Sequence, residues 1–483
     1  MSLKPARYEL EDSLKSALSQ WPVPGASIAI LENGRLESAV TGVTNTTTGV
    51  PVTADTVMHI GSITKIFTAT LLMQLVDEGK LDLDQSVMEY LAPFKLHGGS
   101  LQRQLSARML LNHSSGIDGE LLPGLDHDEE TIQRAAQRIA KLDQLFSPGT
   151  RFSYCNAGFV LAGYLAEQIT GKSWYRLIRE RIFEPLGMKH SATLPEEAIL
   201  HRTSVGHFVQ EAKDFAVTRT NAAFLPLSFA PCGTTLMMSA ADLLKFATVH
   251  MNQGIGANGV RILSGDGTDA MQRIGLRHKV GRYVYGDGIG LGWMVFDDGL
   301  LHHSGGGPGI SAALYVLPEE RRAIAILTNA EYRLSWRFIG EIVAPWLRER
   351  RLAAYEQMTQ AFPIPSADPI KIERFVAVYR DNLYRYRVSA SPDGQLNLSS
   401  QATFAPYENM STLPTDPTPL IHLGNNDFIL SVRDESLPTP NFYRLFAFQA
   451  STVDGPMEYL GNGMRLYRRE TAAQAPVWNE TRG

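Results

Sequence analysis

From Ile66 to Val76 the chain carries no charged residue, and Lys65 and Asp77 bracket the run. Ile66, Ala69, Leu72, Met73 and Val76 recur at helical spacing and Gly79 stands just past the end, so residues 62–78 predict a helix. Such a helix is apolar around much of its circumference and has to be enclosed by other elements. The chain can supply the enclosure: 483 residues, 44% of them apolar, predict two or three globular domains. With 45 Lys and Arg against 50 Asp and Glu, the net charge of −5 leaves no basic surplus for a phosphate backbone, which excludes nucleic acid as a partner. Two cysteines, Cys155 and Cys232, are too few for a disulfide framework, and no Cys/His cluster has zinc-ligand spacing. Neither a metal nor a cofactor is expected. The N-terminus MSLKPARYELEDSLKSAL carries acids where an export signal needs an apolar run, and no 18-residue apolar stretch occurs, so the expectation is a cytoplasmic protein with no membrane partner.

Ahead of that helix, Leu10, Leu14 and Leu18 predict an amphipathic helix that Trp21-Pro22-Val23-Pro24-Gly25 stops. Ala26–Leu31 and Arg35–Thr41 flank Asn33-Gly34, a strong hairpin signal. Residues 81–250 read as mostly helical, with amphipathic helices at Ala157–Ile169 and Ala240–Met251. Strand signals return at Gly290–Phe296, Leu300–His303, Ile310–Leu317 and Ala323–Asn329, before a final helix from Trp336 to about Tyr355. One antiparallel sheet, flanked by helices, is therefore expected to form from both ends of a long segment, an α/β fold in the α+β sense. Three prolines in 358–369 predict a linker between a first domain, 1–357, and a second, 370–483. The second opens with a short helix near Ile370–Val378 and then reads as short β segments, a small antiparallel barrel or sandwich.

Three local patterns carry chemistry. Ser62-x-x-Lys65 places a serine one turn before a lysine on a helix face. A lysine desolvated in a helical core can lose its proton near neutral pH and activate that hydroxyl; a capping serine beside a surface lysine is the plain alternative. Tyr154-x-Asn156 lies in a turn that leads into a helix near Ala157. A tyrosine near a cation is a competent base, and the alternative is a buried tyrosine with an asparagine N-cap. His303-Ser304-Gly305-Gly306-Gly307 sits on a strand expected to open into a loop, where glycines admit substrate to the backbone, or else form a hairpin turn beside solvated histidines. Cys155 reads as a small packed side chain, and His113 as a residue that holds a turn by hydrogen bonds.

Taken in order, Ser62-x-x-Lys65, Tyr154-x-Asn156 and His303-x-Gly305 resemble the serine β-lactamase and penicillin-binding-protein superfamily. More narrowly they resemble its class C-like branch of esterases, D-aminopeptidases and related serine peptidases. Leu110–Gly116, Pro148–Asn156, Glu184–Met188 and Ser239–Leu243 are similar to stretches of that branch, and the resemblance spans roughly residues 10–350. It implies a β-lactamase-like fold in which Ser62 attacks a carbonyl, Lys65 and Tyr154 share the base work, and Asn156 orients the acyl side chain. The N–H groups of Ser62 and Gly306 would hold the oxyanion, with His303 and Gly305 on the same substrate-binding strand. Members that bind penicillin usually carry lysine in place of His303, which counts against antibiotic hydrolysis unless a cation such as Arg282 or Arg333 replaces it. The expected substrate is a small molecule or short peptide, its amide or ester bond cleaved by a metal-free serine hydrolase, with peptides slightly preferred. Alternatives are a carboxylesterase, a lactam hydrolase, or a sensor that stays acylated. Assembly into a homo-oligomer is left open.

Overall fold

The Asn33-Gly34 turn folds Gly25–Glu32 back on Arg35–Gly42, with pairing from Gly25↔Gly42 to Glu32↔Arg35, in the computed structural model. Residues 10–91, 99–119, 131–210, 215–221, 225–278, 286–347, 365–402, 415–430, 445–462 and 464–471 are the ones it describes. Gly25–Glu32 pairs on its other side with Arg322–Thr328, nearly 300 positions away (Ala26↔Thr328 to Glu32↔Arg322). Ile310–Leu317, Leu301–Gly307, Met294–Val295, Gly288–Ile289 and Leu276–Arg277 then extend an antiparallel sheet that has eight strands among the described residues. The sheet is built from both ends of the segment, as the strand pattern predicts.

Both faces of this sheet are covered, which explains why its central strands read as continuous apolar runs rather than alternating ones. Ala312, Leu314, Val316, Ala323, Ala325 and Leu327 point to one core, and the alternate residues Ala313, Leu317, Ile324 and Ile326 to another. The second core is closed by the helices Leu10–Gln20 and Tyr332–Leu347. Residues 348–364, which hold the expected end of that last helix and most of the linker, lie outside the described residues.

The larger core surrounds the central helix, Thr64–Asp77, in which every residue from Thr64 to Leu75 is buried. Phe67 stacks on Phe246 of the Ala240–Met251 helix at 3.7 Å between ring centroids, and full burial of such a side chain stabilises by about 1.5–3 kcal/mol. Several of the helix's buried polar groups find partners on other elements. Thr68 Oγ1 donates to the Pro231 carbonyl at 2.8 Å, and Gln74 Nε2 donates to the carbonyls of Ile262 and Arg181. At its end Lys80 N–H reaches the Leu75 carbonyl and Gly79 N–H the Val76 carbonyl, a Schellman motif.

Beyond the sheet, the strands from Ala377–Arg380 to Arg465–Arg469 close into an antiparallel barrel, of eight strands among the described residues. The expected helix at Ile370–Val378 is instead a single 3-10 turn at Ile372–Arg374 followed by the first barrel strand. That strand closes the barrel against the last one (Tyr379↔Arg469, Arg380↔Arg468), a partner whose distance hides it from local periodicity. Phe375 and Tyr379 fill the barrel core with Phe428, Phe446 and Phe448. Among the described residues no helix is long and apolar enough to cross a membrane.

Candidate functional site

Ser62 lies in a 3-10 turn, Gly61–Ile63, that runs directly into the central helix. No side chain caps that turn, so Ser62 is not a structural cap. Its side chain is partly exposed where its neighbours are buried. Lys65, one turn on, is completely buried rather than on the surface, and its Nζ donates to Ser62 Oγ at 3.0 Å and to the Cys232 carbonyl at 2.5 Å. Burial is the main cause that lowers its pKa from 10.5 to about 8, and the positive charge of Arg465 acts in the same direction. A lysine of that pKa is about one-tenth neutral at pH 7 and half neutral near pH 8, the range in which an amine accepts a proton from a hydroxyl.

Tyr154 stands across from this pair, its ring centroid 4.8 Å from Lys65 Nζ. His113, whose φ of 58° marks a tight turn, stacks on the Tyr154 ring at 4.3 Å, and its Nδ1 accepts the Cys155 N–H at 3.0 Å. His113 thus holds a turn, as expected, and burial lowers its pKa well below the ordinary 6.5. Cys155 caps the Asn156–Thr170 helix, with its Sγ accepting the Gly158 N–H, and burial raises its thiol pKa to about 11. The N-cap is therefore Cys155 and not Asn156, which occupies the first helical position, partly exposed and two residues from Tyr154.

The glycine-rich segment does not open into a loop. Leu301–Gly307 stays a strand to its end, paired with Ile310–Leu317 throughout (Gly305↔Ala312, Gly306↔Ser311). The reason is close packing: a Cβ on Gly305 would lie 1.9 Å from the Ile60 carbonyl oxygen, so any side chain would push the strand off the turn that carries Ser62. Gly61, at φ 53°, faces the same contact, and a Cβ there would lie 2.7 Å from Gly306 N. The backbones of Gly61-Ser62 and Gly306 are thereby adjacent, with Gly306 exposed. His303 is buried, its Nδ1 is 2.6 Å from the Ser304 carbonyl oxygen, and its ring lies 6.4 Å from that of Tyr154. Burial, helped by the charge of Lys65, lowers its pKa to about 3.

Local sequence patterns miss the remaining contributors. The Cys232 carbonyl and Arg465 carry no motif. Arg282 lies outside the described residues, as does the side chain of Arg333. Besides Lys65, a second cation stands beside Tyr154: Arg465 of the barrel. Its guanidinium carbon is 5.3 Å from the Tyr154 ring centroid, and its Nη1 donates to the Tyr154 carbonyl at 2.9 Å.

Below this contact two nearly buried carboxyls, Asp118 and Asp381, flank the junction with the barrel. Asp118 Oδ1 accepts the Asn382 N–H at 3.1 Å, and Asp381 Oδ1 accepts the N–H groups of Leu383 and Tyr384. Burial raises the Asp118 pKa to about 6, while burial and then the charge of Asp118 raise that of Asp381 to about 7. A carboxyl whose folded pKa exceeds its unfolded one binds more protons when folded, so stability falls as pH rises from about 4 to 7. Asp381→Asn keeps the Oδ1 acceptor and removes the charge. It is expected to flatten that slope and to raise the Tm at pH 8.5 by about 2–5 °C, read from thermal melts at pH 5 and 8.5; an unchanged slope would contradict the assignment.

Comparisons with known proteins identify the family. A family model described as Beta-lactamase matches residues 13–340. The chain is 34% identical over 355 residues to penicillin-binding protein 4 of Amycolatopsis lactamdurans, covering 73% of this chain and 91% of that protein. It is 32% identical over 197 residues to the D-aminopeptidase of Brucella anthropi, covering 39% of this chain and 36% of that protein. Among solved structures, SurE superposes with a TM-score of 0.75 at 24% identity over 95% of this chain and 98% of that one, barrel region included. The D-amino acid amidase from Ochrobactrum anthropi SV3 superposes with a TM-score of 0.60 at 24% identity over 71% of this chain and 99% of that one. With the matched segment spanning the whole Ser62 to Gly306 constellation, the chain belongs to the Beta-lactamase family, whose members among its relatives are serine hydrolases.

Proposed function

We propose that the protein hydrolyses an amide bond of a small peptide or amino-acid amide through an acyl-enzyme on Ser62, and that residues 1–357 form the catalytic unit. The observation that carries this reading is the buried Lys65 amine, with its pKa near 8, held 3.0 Å from the partly exposed Ser62 hydroxyl. In this reading neutral Lys65 takes the Ser62 proton as Oγ attacks the carbonyl, and Tyr154 relays a proton to the leaving amine. The N–H groups of Ser62 and Gly306 face the developing oxyanion, and Asn156 orients the acyl side chain. Water then attacks the ester by the reverse path and frees Ser62.

His303 bears on the choice of substrate. Kept neutral by burial, it offers no cation to a penicillin carboxylate, which favours neutral amides and esters over lactam antibiotics. Relatives named for D-amino acid substrates, and the SurE structure with D-Leu, support a D-configured residue on the acyl side. A fluorophosphonate should label Ser62, as mapped by mass spectrometry. Values of kcat/KM for D- and L-residue p-nitroanilides, a p-nitrophenyl ester and a benzylpenicillin-type lactam then rank the substrates, with the D-anilide expected about tenfold or more above the lactam. A lactam that outperformed the others would point to antibiotic hydrolysis, and a burst without steady-state turnover would point to a sensor.

A further inference from the structure

One corner of the barrel grips the backbone of Tyr154. Tyr154 N–H donates to the Met464 carbonyl at 2.8 Å, Arg465 Nη1 donates to the Tyr154 carbonyl at 2.9 Å, and Leu466 N–H donates to Ser153 Oγ at 3.1 Å. Residues 152–155 belong to no strand or helix, so the barrel supplies partners for both polar groups of the Tyr154 backbone that its own unit's sheet does not provide. The junction is well packed: Leu145 and Phe146 cluster with Tyr459 and Leu466, Tyr459 Oη donates to the Leu145 carbonyl, and Arg151 lies over the Tyr459 ring while its Nη1 donates to Gln449 Oε1.

Resting on the assignment of Tyr154 to the catalytic centre, we propose that the barrel corner carrying Met464, Arg465 and Leu466 is a positioning element of the active site, with Arg465 as its positioning residue. Arg465 fixes Tyr154 against Lys65 and sets the potential in which the lysine titrates. The groups that face Lys65 are the Cys232 carbonyl and thiol, Tyr154 and Cys155 from the loop at 152–155, His113 from its own tight turn, His303 from the glycine-rich strand, and Arg465. Burial keeps both histidines and both thiols neutral near pH 7, whereas Arg465, though lowered to about 10, stays charged. Its like charge favours the neutral amine that attack requires. Without it Lys65 holds its proton to higher pH.

Steady-state kinetics of the full chain between pH 6 and 10, with a p-nitrophenyl ester, test this. Arg465→Met should lower kcat about 10–100-fold with KM within about threefold, because a displaced proton relay weakens the transition state more than substrate binding. The acid limb of its pH profile should move up by roughly half to one unit. Arg465→Lys keeps the charge, so its limb should stay at the wild-type position while kcat lies between the two. Ser153→Ala deletes the Leu466 N–H acceptor and no charge. It should cost about 3–10-fold in kcat and leave the limb unmoved. An Arg465→Met enzyme with wild-type kcat and limb, or one impaired in KM alone, would overturn the positioning role. Should Arg465→Met fail to fold, the other two variants decide, and wild-type kcat in both overturns the proposal. Tyr154→Phe keeps the score separate: if it turns over at the wild-type rate, the site assignment itself fails, whereas an inactive Tyr154→Phe beside an unaffected Arg465→Met removes only the barrel's role.

Discussion

Ser62→Ala is expected to abolish turnover, by at least about four orders of magnitude, while the circular dichroism spectrum and the Tm stay at wild-type values. The two halves of that result have separate causes. The hydroxyl is the proposed nucleophile, and nothing else at the turn can replace it: Cys155 and Cys232 are buried, with thiols raised to about 11. The fold loses little, because Ser62 does not cap its turn and its hydroxyl accepts a hydrogen bond from Lys65, which keeps the Cys232 carbonyl as a partner. Turnover of an activated ester and fluorophosphonate labelling read the first half, and thermal melts the second. A variant that kept a tenth of the activity would remove Ser62 from the mechanism.

Lys65→Met and Tyr154→Phe should each reduce acylation about 10³–10⁵-fold, and the double variant should be no more than about tenfold worse than the weaker single one. Groups that pass one proton between them act as a unit, so the first loss disables the second. Methionine preserves the buried stem volume of Lys65, and Tyr154→Phe keeps the backbone bonds to Met464 and Arg465, so both proteins should fold. Single-turnover release of p-nitrophenol measures the effect. In the wild type, kcat/KM should rise with pH through about 8, since the reactive form is the deprotonated amine and burial has brought its pKa there. Multiplicative losses, or an acid limb near 6, would show that Lys65 and Tyr154 work independently or that Lys65 is not the base.

The parts of the molecule legible in sequence are those governed by nearest neighbours along the chain. Ser62 and Lys65 are three apart, on a 3-10 turn that runs straight into the central helix, so their contact follows from helical geometry once the uncharged run from Ile66 to Val76 has required burial. The Asn33-Gly34 hairpin and the Schellman end at Gly79 are local in the same way. The burial of Lys65, and with it the choice between a surface lysine and a base, belongs to the packed structure. It needs the core helices and the Cys232 carbonyl, 167 positions away. Arg465 reaches Tyr154 from 311 positions on, delivered by barrel closure, and no local pattern announces it. The glycines of 305–307 suggest a loop by composition, but the strand persists because Gly305 must let the Ile60 carbonyl approach.

By itself, then, the sequence determined which residue types stand in which order: a serine and lysine on one helix, a tyrosine and asparagine at the next helix start, a histidine and glycines on a strand. That order suffices for the family and for the candidate nucleophile, since spacing along a regular element sets which side chains share a face. The tertiary structure alone decided the protonation states, the neighbours of Tyr154 and the part played by the barrel. Desolvation and Coulomb interactions depend on distance through space, and the chain brings Tyr154, Cys232, His303 and Arg465 around Lys65 only when the sheet, the helices and the barrel have closed on one another.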